Sequence, residues 1–195
     1  MDFEDTKEEA AFRAEANKWL SANAKLRGSK ASKDDLEELE NGAAAEMAAS
    51  KAWQKTKAKA GYARITWPKG MGGMGGTPMQ SIIFSQEEAK YDVASGGPFA
   101  IGLGMCIPTL MTYGDDETKK RFVWPAVQGD EIWCQLFSEP AGGSDVAGLR
   151  TRAEKDGDEW VINGQKIWTT GAQFSDYGIL LTRTDPNVPK HKGLT

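Results

Sequence analysis

The sequence predicts an α+β protein, helical to about residue 130 and β beyond it. Three observations carry this reading. Apolar residues recur at helical spacing behind capping signals in the first two thirds of the chain. After "QGD" at residues 128–130 the period shortens, beginning with the strand-like "EIWCQLF". Asn163-Gly164 then stands between two β-rich runs, a short-range hairpin signal. Helices and strands in separate blocks point to two domains, residues 1–130 and residues 131–195.

The elements follow in order. "TKEE" at Thr6–Glu9 is a capping box that opens a helix with Phe12, Ala16, Trp19 and Leu20 on one face. A second helix is expected from about Asp34 to Lys59, with Leu36, Leu39, Met47 and Trp53 apolar; it is acidic early and basic late, as the helix dipole favours. "TWPKGMGGMGG" (Thr66–Gly76), with five glycines and a proline, is a loop. Thr77 with Pro78 and Gln80 starts a third helix, expected to reach about Tyr91. "ASGGPFAIGLGMCIPTLMTYG" is small and apolar nearly all round and reads as a buried helix ended by Gly114. Asp115 caps "DETKKRFVWPAV", whose last turn is expected to be disturbed by Pro125. Beyond residue 130, "EIWCQLF", the alternating "LRTRAEKDG", the two arms around Asn163-Gly164 and "YGILLTRTD" read as strands. The β part holds few strands and reads as unfinished.

The 195 residues suffice for one or two domains with a real core. With 27% charged residues and a net charge of −4 there is no basic face for nucleic acid. The acidic start "MDFEDTKEEAAF" fits neither a signal nor a transit peptide, and no apolar run is long enough for a membrane span. Cys106 and Cys134 lie far apart in apolar surroundings and read as reduced packing residues, which places the protein in the cytoplasm. One histidine, His191, leaves no multi-histidine metal site and no histidine-based triad; no metal is expected.

Two stretches carry candidate chemistry. "LFSEPAGGSDVAG" (residues 136–148) is either a plain turn or a ligand cradle: its glycines let a ligand approach the main chain, its amides can form an anion nest, and Ser138 and Ser144 can hydrogen-bond. Composition alone favours the turn. Glu139 and Asp145 are read as structural rather than as an acid–base pair, since Glu139 precedes a proline and Asp145 can close the turn through its own backbone. In "GQKIWTTGA", Trp168 is taken to end a strand. It is either a core tryptophan or a flat partner for a planar ligand with threonine hydroxyls at its edge. "KGMGGMGG" lacks GK[ST] and is not a phosphate loop.

Together, "CQLFSEPAGGSDVAGLRTRAEKDGDEWVINGQKIWTTGAQFSDYGILLTRTD" resembles the middle domain of the acyl-CoA dehydrogenase family. The Ser-Glu-Pro-x-x-Gly-Ser-Asp core and the Asn-Gly-x-Lys-x-Trp-x-Thr stretch occur in order at family-like separation. "WPKGMGGMGG" and "GDDETKKRFVWPAVQGD" resemble that family's N-terminal domain. The resemblance implies an all-helical N-terminal domain, an antiparallel β-barrel-like middle domain that is incomplete here, and a C-terminal four-helix bundle absent from these residues. It implies FAD, an acyl-CoA substrate desaturated between its α and β carbons, an electron-transfer flavoprotein as electron acceptor, and a homo-oligomer, dimer or tetramer, working in fatty acid β-oxidation. The family's catalytic base belongs to the bundle, so it is expected beyond Thr195. No catalytic residue is assigned here, and this piece alone is expected to be inactive.

By the same resemblance, Gln135, Leu136, Phe137, Ser138, Gly143, Trp168, Thr169 and Thr170 are cofactor-binding. Ser138 meets the pyrimidine side of the flavin near N1 and O2, Trp168 lies beside the ring, and Thr170 reaches N5. Leu136 and Phe137 supply packing and backbone contacts, and Ser144 faces the CoA side. An acyl-CoA oxidase or nitroalkane-type oxidase and a non-catalytic subunit of the same fold remain open as alternatives.

Overall fold

The computed structural model describes residues 4–28 and 38–195. Two compact units form: Met1–Pro98 with Gly114–Asp130, and Phe99–Tyr113 with Glu131–Thr195. The segment 99–113, helical in sequence, therefore packs with the strands. Among the described residues no helix is long and apolar enough to cross a membrane.

The first unit is built from helices. α1 (Lys7–Asn23) starts at the predicted capping box, with Thr6 and Glu9 bonding each other's backbone amides. α2 spans Glu38–Lys59; the expected start near Asp34, and Leu36 with it, lie outside the described residues. α3 (Pro78–Glu88) opens on a second reciprocal box between Thr77 and Gln80. It stops short of the expected Tyr91, because that residue joins a two-residue strand. β1 (Lys25–Leu26) and β2 (Tyr91–Asp92) pair antiparallel. α5 (Asp116–Val127) is capped by Asp115 Oδ1 accepting from the Thr118 amide at 2.7 Å. It runs through Pro125 intact: the Gln128 amide still donates to the Trp124 carbonyl at 3.0 Å, so the proline removes one bond without breaking the turn.

Phe12, Ala16 and Leu20 of α1 meet Trp53, Tyr62, Ile65, Ile83, Phe84 and Tyr91 in one core. Tyr62 stacks on Phe84 at 4.5 Å, and Trp19 leans on Tyr62 at 4.8 Å. Glu87 sits in this core, 1% exposed. Burial raises its pKa, but Lys90, Asn17 and Arg13 all donate to its carboxylate and bring it down to about 2. Gln54 Nε2 donates to the Val127 carbonyl at 2.8 Å and ties α2 to α5. The Thr66–Gly76 loop is folded back on itself: the Met74 and Gly76 amides both reach the Ile65 carbonyl. A Cβ at Gly73 would collide with the Trp67 and Arg64 carbonyl oxygens, so glycine is needed there for close backbone approach.

In the second unit the expected single buried helix is broken into pieces. A π-helical turn (Gly102–Cys106) leads into α4 (Ile107–Tyr113). It is buried on one side only, and Tyr113 is exposed. Gly102 lets the turn press on Trp133. β3 (Trp133–Leu136) pairs parallel with β6 (Tyr177–Leu180), Gln135 opposite Ile179. β4 (Arg152–Asp156) and β5 (Glu159–Asn163) form an antiparallel hairpin. These sheets are not closed into a barrel.

The hairpin corrects one expectation. Its turn is Gly157-Asp158, with Gly157 at φ +61°, rather than Asn163-Gly164. Asn163 ends β5, and residues 164–169 run on without strand structure, so Trp168 does not end a strand. Gly164 is used differently: a Cβ there would strike Thr151.

Candidate functional site

Every second residue of β3 faces the same way. Gln135, and Phe137 just beyond it, look toward one side with Ser138. Leu136 turns to the other, packing where a Cβ on Gly178 would have to sit. The chain then turns sharply, Glu139 and Gly142 exchanging two backbone bonds of 3.0 Å.

Glu139 fixes this turn from within. It is 7% exposed, and its carboxylate accepts four bonds: the Arg150 amide at 2.6 Å, the Thr151 amide at 2.8 Å, Thr151 Oγ1 at 2.6 Å and Lys166 Nζ at 3.0 Å. Burial raises its pKa; the bonds from Thr151, Arg150 and Lys166 outweigh this and hold it near 2. It is therefore ionised and fully occupied. A carboxylate in that state has no capacity to take a proton near neutral pH, which agrees with the structural role read from the sequence. Asp145 is exposed instead and pairs with Lys190 at 2.9 Å, beyond the backbone contact expected of it.

Lys166 links the two candidate stretches. Its side chain is 7% exposed and donates to both Glu139 Oε1 and the Phe137 carbonyl at 3.1 Å. Beside it the Ile167 amide donates to the Ser138 carbonyl at 3.0 Å. Phe137–Glu139 and Lys166–Thr170 are thus clamped side by side. Gly164, by approaching Thr151, lets the second stretch come this close.

The clamp encloses a cavity of about 140 Å³ lined by Ile101, Gln135, Phe137, Ser138, Ile167, Trp168 and Thr170. Five of the residues singled out in the sequence, Gln135, Phe137, Ser138, Trp168 and Thr170, come together there. Among the described residues nothing hydrogen-bonds the side chains of Gln135, Ser138 or Thr170. The lining is apolar on its faces and carries two hydroxyls and an amide, which suits a flat ring with polar edges.

Trp168 has φ +57°, the single non-glycine residue with positive φ among those described, and its side chain is 85% exposed. A bulky residue in the left-handed region is strained, and such strain collects at functional sites. Of the two readings of Trp168, the core tryptophan is excluded.

The remaining candidates lie outside the lining. Leu136 faces away. Thr169 is half-buried and offers its carbonyl to the Ala172 amide. Gly143 is exposed and close to Ser138, whose Oγ stands 3.2 Å from where its Cβ would be, and Ser144 is exposed on the loop. Sequence reasoning missed Ile101, Lys166 and Thr151. Lys166 had a signal, its fixed place in the Asn-Gly-x-Lys-x-Trp-x-Thr stretch; Ile101, far along the chain, had none.

Comparison with known proteins agrees on one family. The acyl-CoA dehydrogenase N-terminal domain matches residues 6–130, and the acyl-CoA dehydrogenase middle domain matches residues 134–195. "Acyl-CoA dehydrogenase IpdE1" of Mycobacterium tuberculosis is 35% identical over 189 residues, 94% of this chain and 47% of the relative. Among solved structures, the ChsE4–ChsE5 complex from Mycobacterium tuberculosis superposes with a TM-score of 0.73 at 32% identity, over 100% of this chain and 46% of that one. A Tcur3481–Tcur3483 steroid ACAD gives 0.72 at 30% identity, over 100% and 48%. The chain spans about half the length of these relatives.

Proposed function

Because the chain belongs to the acyl-CoA dehydrogenase family, we propose that it forms one wall of a flavin site in an enzyme that desaturates acyl-CoA thioesters. The observation that carries this is the cavity that gathers Gln135, Phe137, Ser138, Trp168 and Thr170. Its donor set fits the flavin of FAD, with hydroxyls for the polar edges and an exposed indole for the face. At about 140 Å³ it is well below the roughly 300–1,000 Å³ of a whole small-molecule site, so it holds a portion of the ligand. When bound, FAD supplies the acceptor for the β-hydrogen of the substrate.

The chain's own residues orient and polarise. Ser138 donates at the N1 and O2 edge and Thr170 at N5, where preorganised donors stabilise developing negative charge. Trp168 covers the ring, while Ile101, Phe137 and Ile167 exclude water. Gln135 adds an amide to the same edge. Gly143 keeps the loop clear of Ser138, and Ser144, exposed on that loop, is assigned to the CoA side. Leu136 and Thr169 support the backbone rather than the ligand. The base that takes the α-proton is assigned to the family's C-terminal bundle and to none of these residues; Glu139 in particular is committed to Lys166, Thr151 and Arg150. The family supports electron-transfer flavoprotein as the acceptor and a dimeric or tetrameric assembly; the assignment to the cytoplasm rests on Cys106 and Cys134, both free and buried.

Thr170→Val in the full-length enzyme tests the reading. It keeps size and removes the donor. A hydrogen bond to a charged group is worth roughly 1.5–3 kcal/mol, so flavin reduction at saturating acyl-CoA should slow roughly 10- to 100-fold, with flavin still bound. Stopped-flow absorbance reads both. Reduction at the parent rate with full flavin occupancy overturns the Thr170 assignment, and a full-length protein that takes up no FAD overturns the flavin site altogether.

A further inference from the structure

The first unit contains a second polar cavity, of about 260 Å³, whose walls include Lys57, Arg64, Thr66, Ser81, Ser85 and Glu88. Its charges are unevenly used. Lys57 is paired with Glu88 at 3.0 Å, and Glu88 also accepts from Trp53 Nε1 at 2.7 Å. That pair is closed. Arg64 has no such partner: among the described residues no carboxylate or carbonyl bonds its guanidinium, and its Nε is buried and unsatisfied. Its one contact of note is the Trp67 ring, 4.5 Å from the guanidinium carbon.

A half-buried guanidinium costs free energy unless it is hydrogen-bonded, and each buried orphan donor calls for an explanation. Stacking on Trp67 holds the face of the group; Nε is closed off from solvent, and the terminal N–H groups are left for a ligand. Those terminal groups are donors that match oxyanions. Thr66 and Ser81 bring hydroxyls to the same cavity, while Ser85 Oγ is spent on the Ser81 carbonyl at 3.0 Å. With Lys57 neutralised by Glu88, the cavity keeps one uncompensated positive charge.

We propose that the Arg64 cavity binds a small oxyanion of the phosphate class, either free phosphate or the terminal phosphate of a small metabolite. The terminal N–H groups of Arg64 are the principal donors and the Thr66 and Ser81 hydroxyls complete the shell. The Glu88 carboxylate also lines the cavity and disfavours an anion; its charge is balanced by Lys57 at 3.0 Å. The site belongs to the helical unit and is independent of the flavin reading.

The test is calorimetric titration of the full-length protein with inorganic phosphate, in chloride buffer at fixed ionic strength and pH. Saturable binding is expected, weakened at least 10-fold by Arg64→Gln. Ser81→Asp is the second variant. It places a carboxylate on the cavity wall to pair with Arg64, and is expected to abolish phosphate binding while raising the melting temperature. A parallel titration with a nucleoside monophosphate separates the sources: tighter binding than inorganic phosphate identifies a phosphorylated metabolite, equal or weaker binding identifies free phosphate. Acetate should bind at least 10-fold more weakly than phosphate. The proposal is overturned if phosphate shows no saturable binding, or if Arg64→Gln and Ser81→Asp both bind it as the parent does.

Discussion

Replacing Glu139 by Gln should be among the most destabilising conservative changes in the second unit. Gln keeps the size of the side chain but removes the negative charge that faces Lys166 at 3.0 Å, with both side chains 7% exposed. Holding the carboxyl at about 2 instead of the ordinary 4.5 corresponds to roughly 3 kcal/mol, at 1.36 kcal/mol per pH unit. Leaving a buried ammonium unpaired costs about 3–5 kcal/mol by independent experience with broken buried pairs. The two figures overlap, and for a protein of this size they correspond to a fall of roughly 6–20 °C in melting temperature. Because the folded-state pKa is depressed, the contribution is fully present above about pH 4.5 and is lost as pH falls toward 2. Urea unfolding of parent, Glu139→Gln, Lys166→Met and the double variant, repeated between pH 7 and pH 3, reads both effects. The double variant should cost at least about 1 kcal/mol less than the sum of the singles, since it buries no orphan charge. Single variants within about 0.5 kcal/mol of the parent, adding independently and insensitive to pH, would refute the clamp.

Two further outcomes are expected. Trp168→Gly should leave stability unchanged or raise it by up to about 1 kcal/mol, by relieving the positive φ, while flavin retention on gel filtration falls; a loss of more than about 1 kcal/mol in chemical unfolding would mean that the ring packs in the protein after all. Gly73→Ala should cost at least about 2 kcal/mol, because its new methyl meets two carbonyl oxygens; a melting temperature within about 1 °C of the parent removes the close-approach argument.

What was legible in the sequence was local. Thr6 with Glu9 and Thr77 with Gln80 are reciprocal caps set within four residues, and both helices begin where those residues place them. The switch to strands after residue 130 likewise rests on consecutive residues. Tertiary pairing decided the rest. Tyr91 leaves α3 because a strand partner exists at Leu26. Asn163-Gly164 and Gly157-Asp158 are both good turn signals; register with β4 selects the latter, while Gly164 serves its approach to Thr151. In the site, Ser138, Trp168 and Thr170 could be singled out from motif and chemistry. The pairing of Lys166 could not be read, since its partner Glu139 lies 27 residues away. The exposure of Trp168 depends on a backbone angle that no residue pattern announces.

The pairing of β3 with β6 also bears on the order in which this protein takes shape. The β4–β5 hairpin closes over two residues and can form within about 1–10 μs. β3 and β6 meet only after the chain between them is brought around: the Ile132 amide reaches the Asp176 carboxylate across 44 residues. Entropy opposes such a closure before its contacts repay it. Residues 166–170 lie within the stretch that is brought around and bond residues 137–139 directly, so the cavity they line forms only once that stretch has turned back. In the reverse direction, a fluctuation that parts residues 166–170 from residues 137–139 erases the cavity while the hairpin persists. Amide hydrogens of Ile167 and Leu181, which bond across this junction, should therefore exchange earlier than those of the aromatic core, and a bound ligand should slow them before it slows any others.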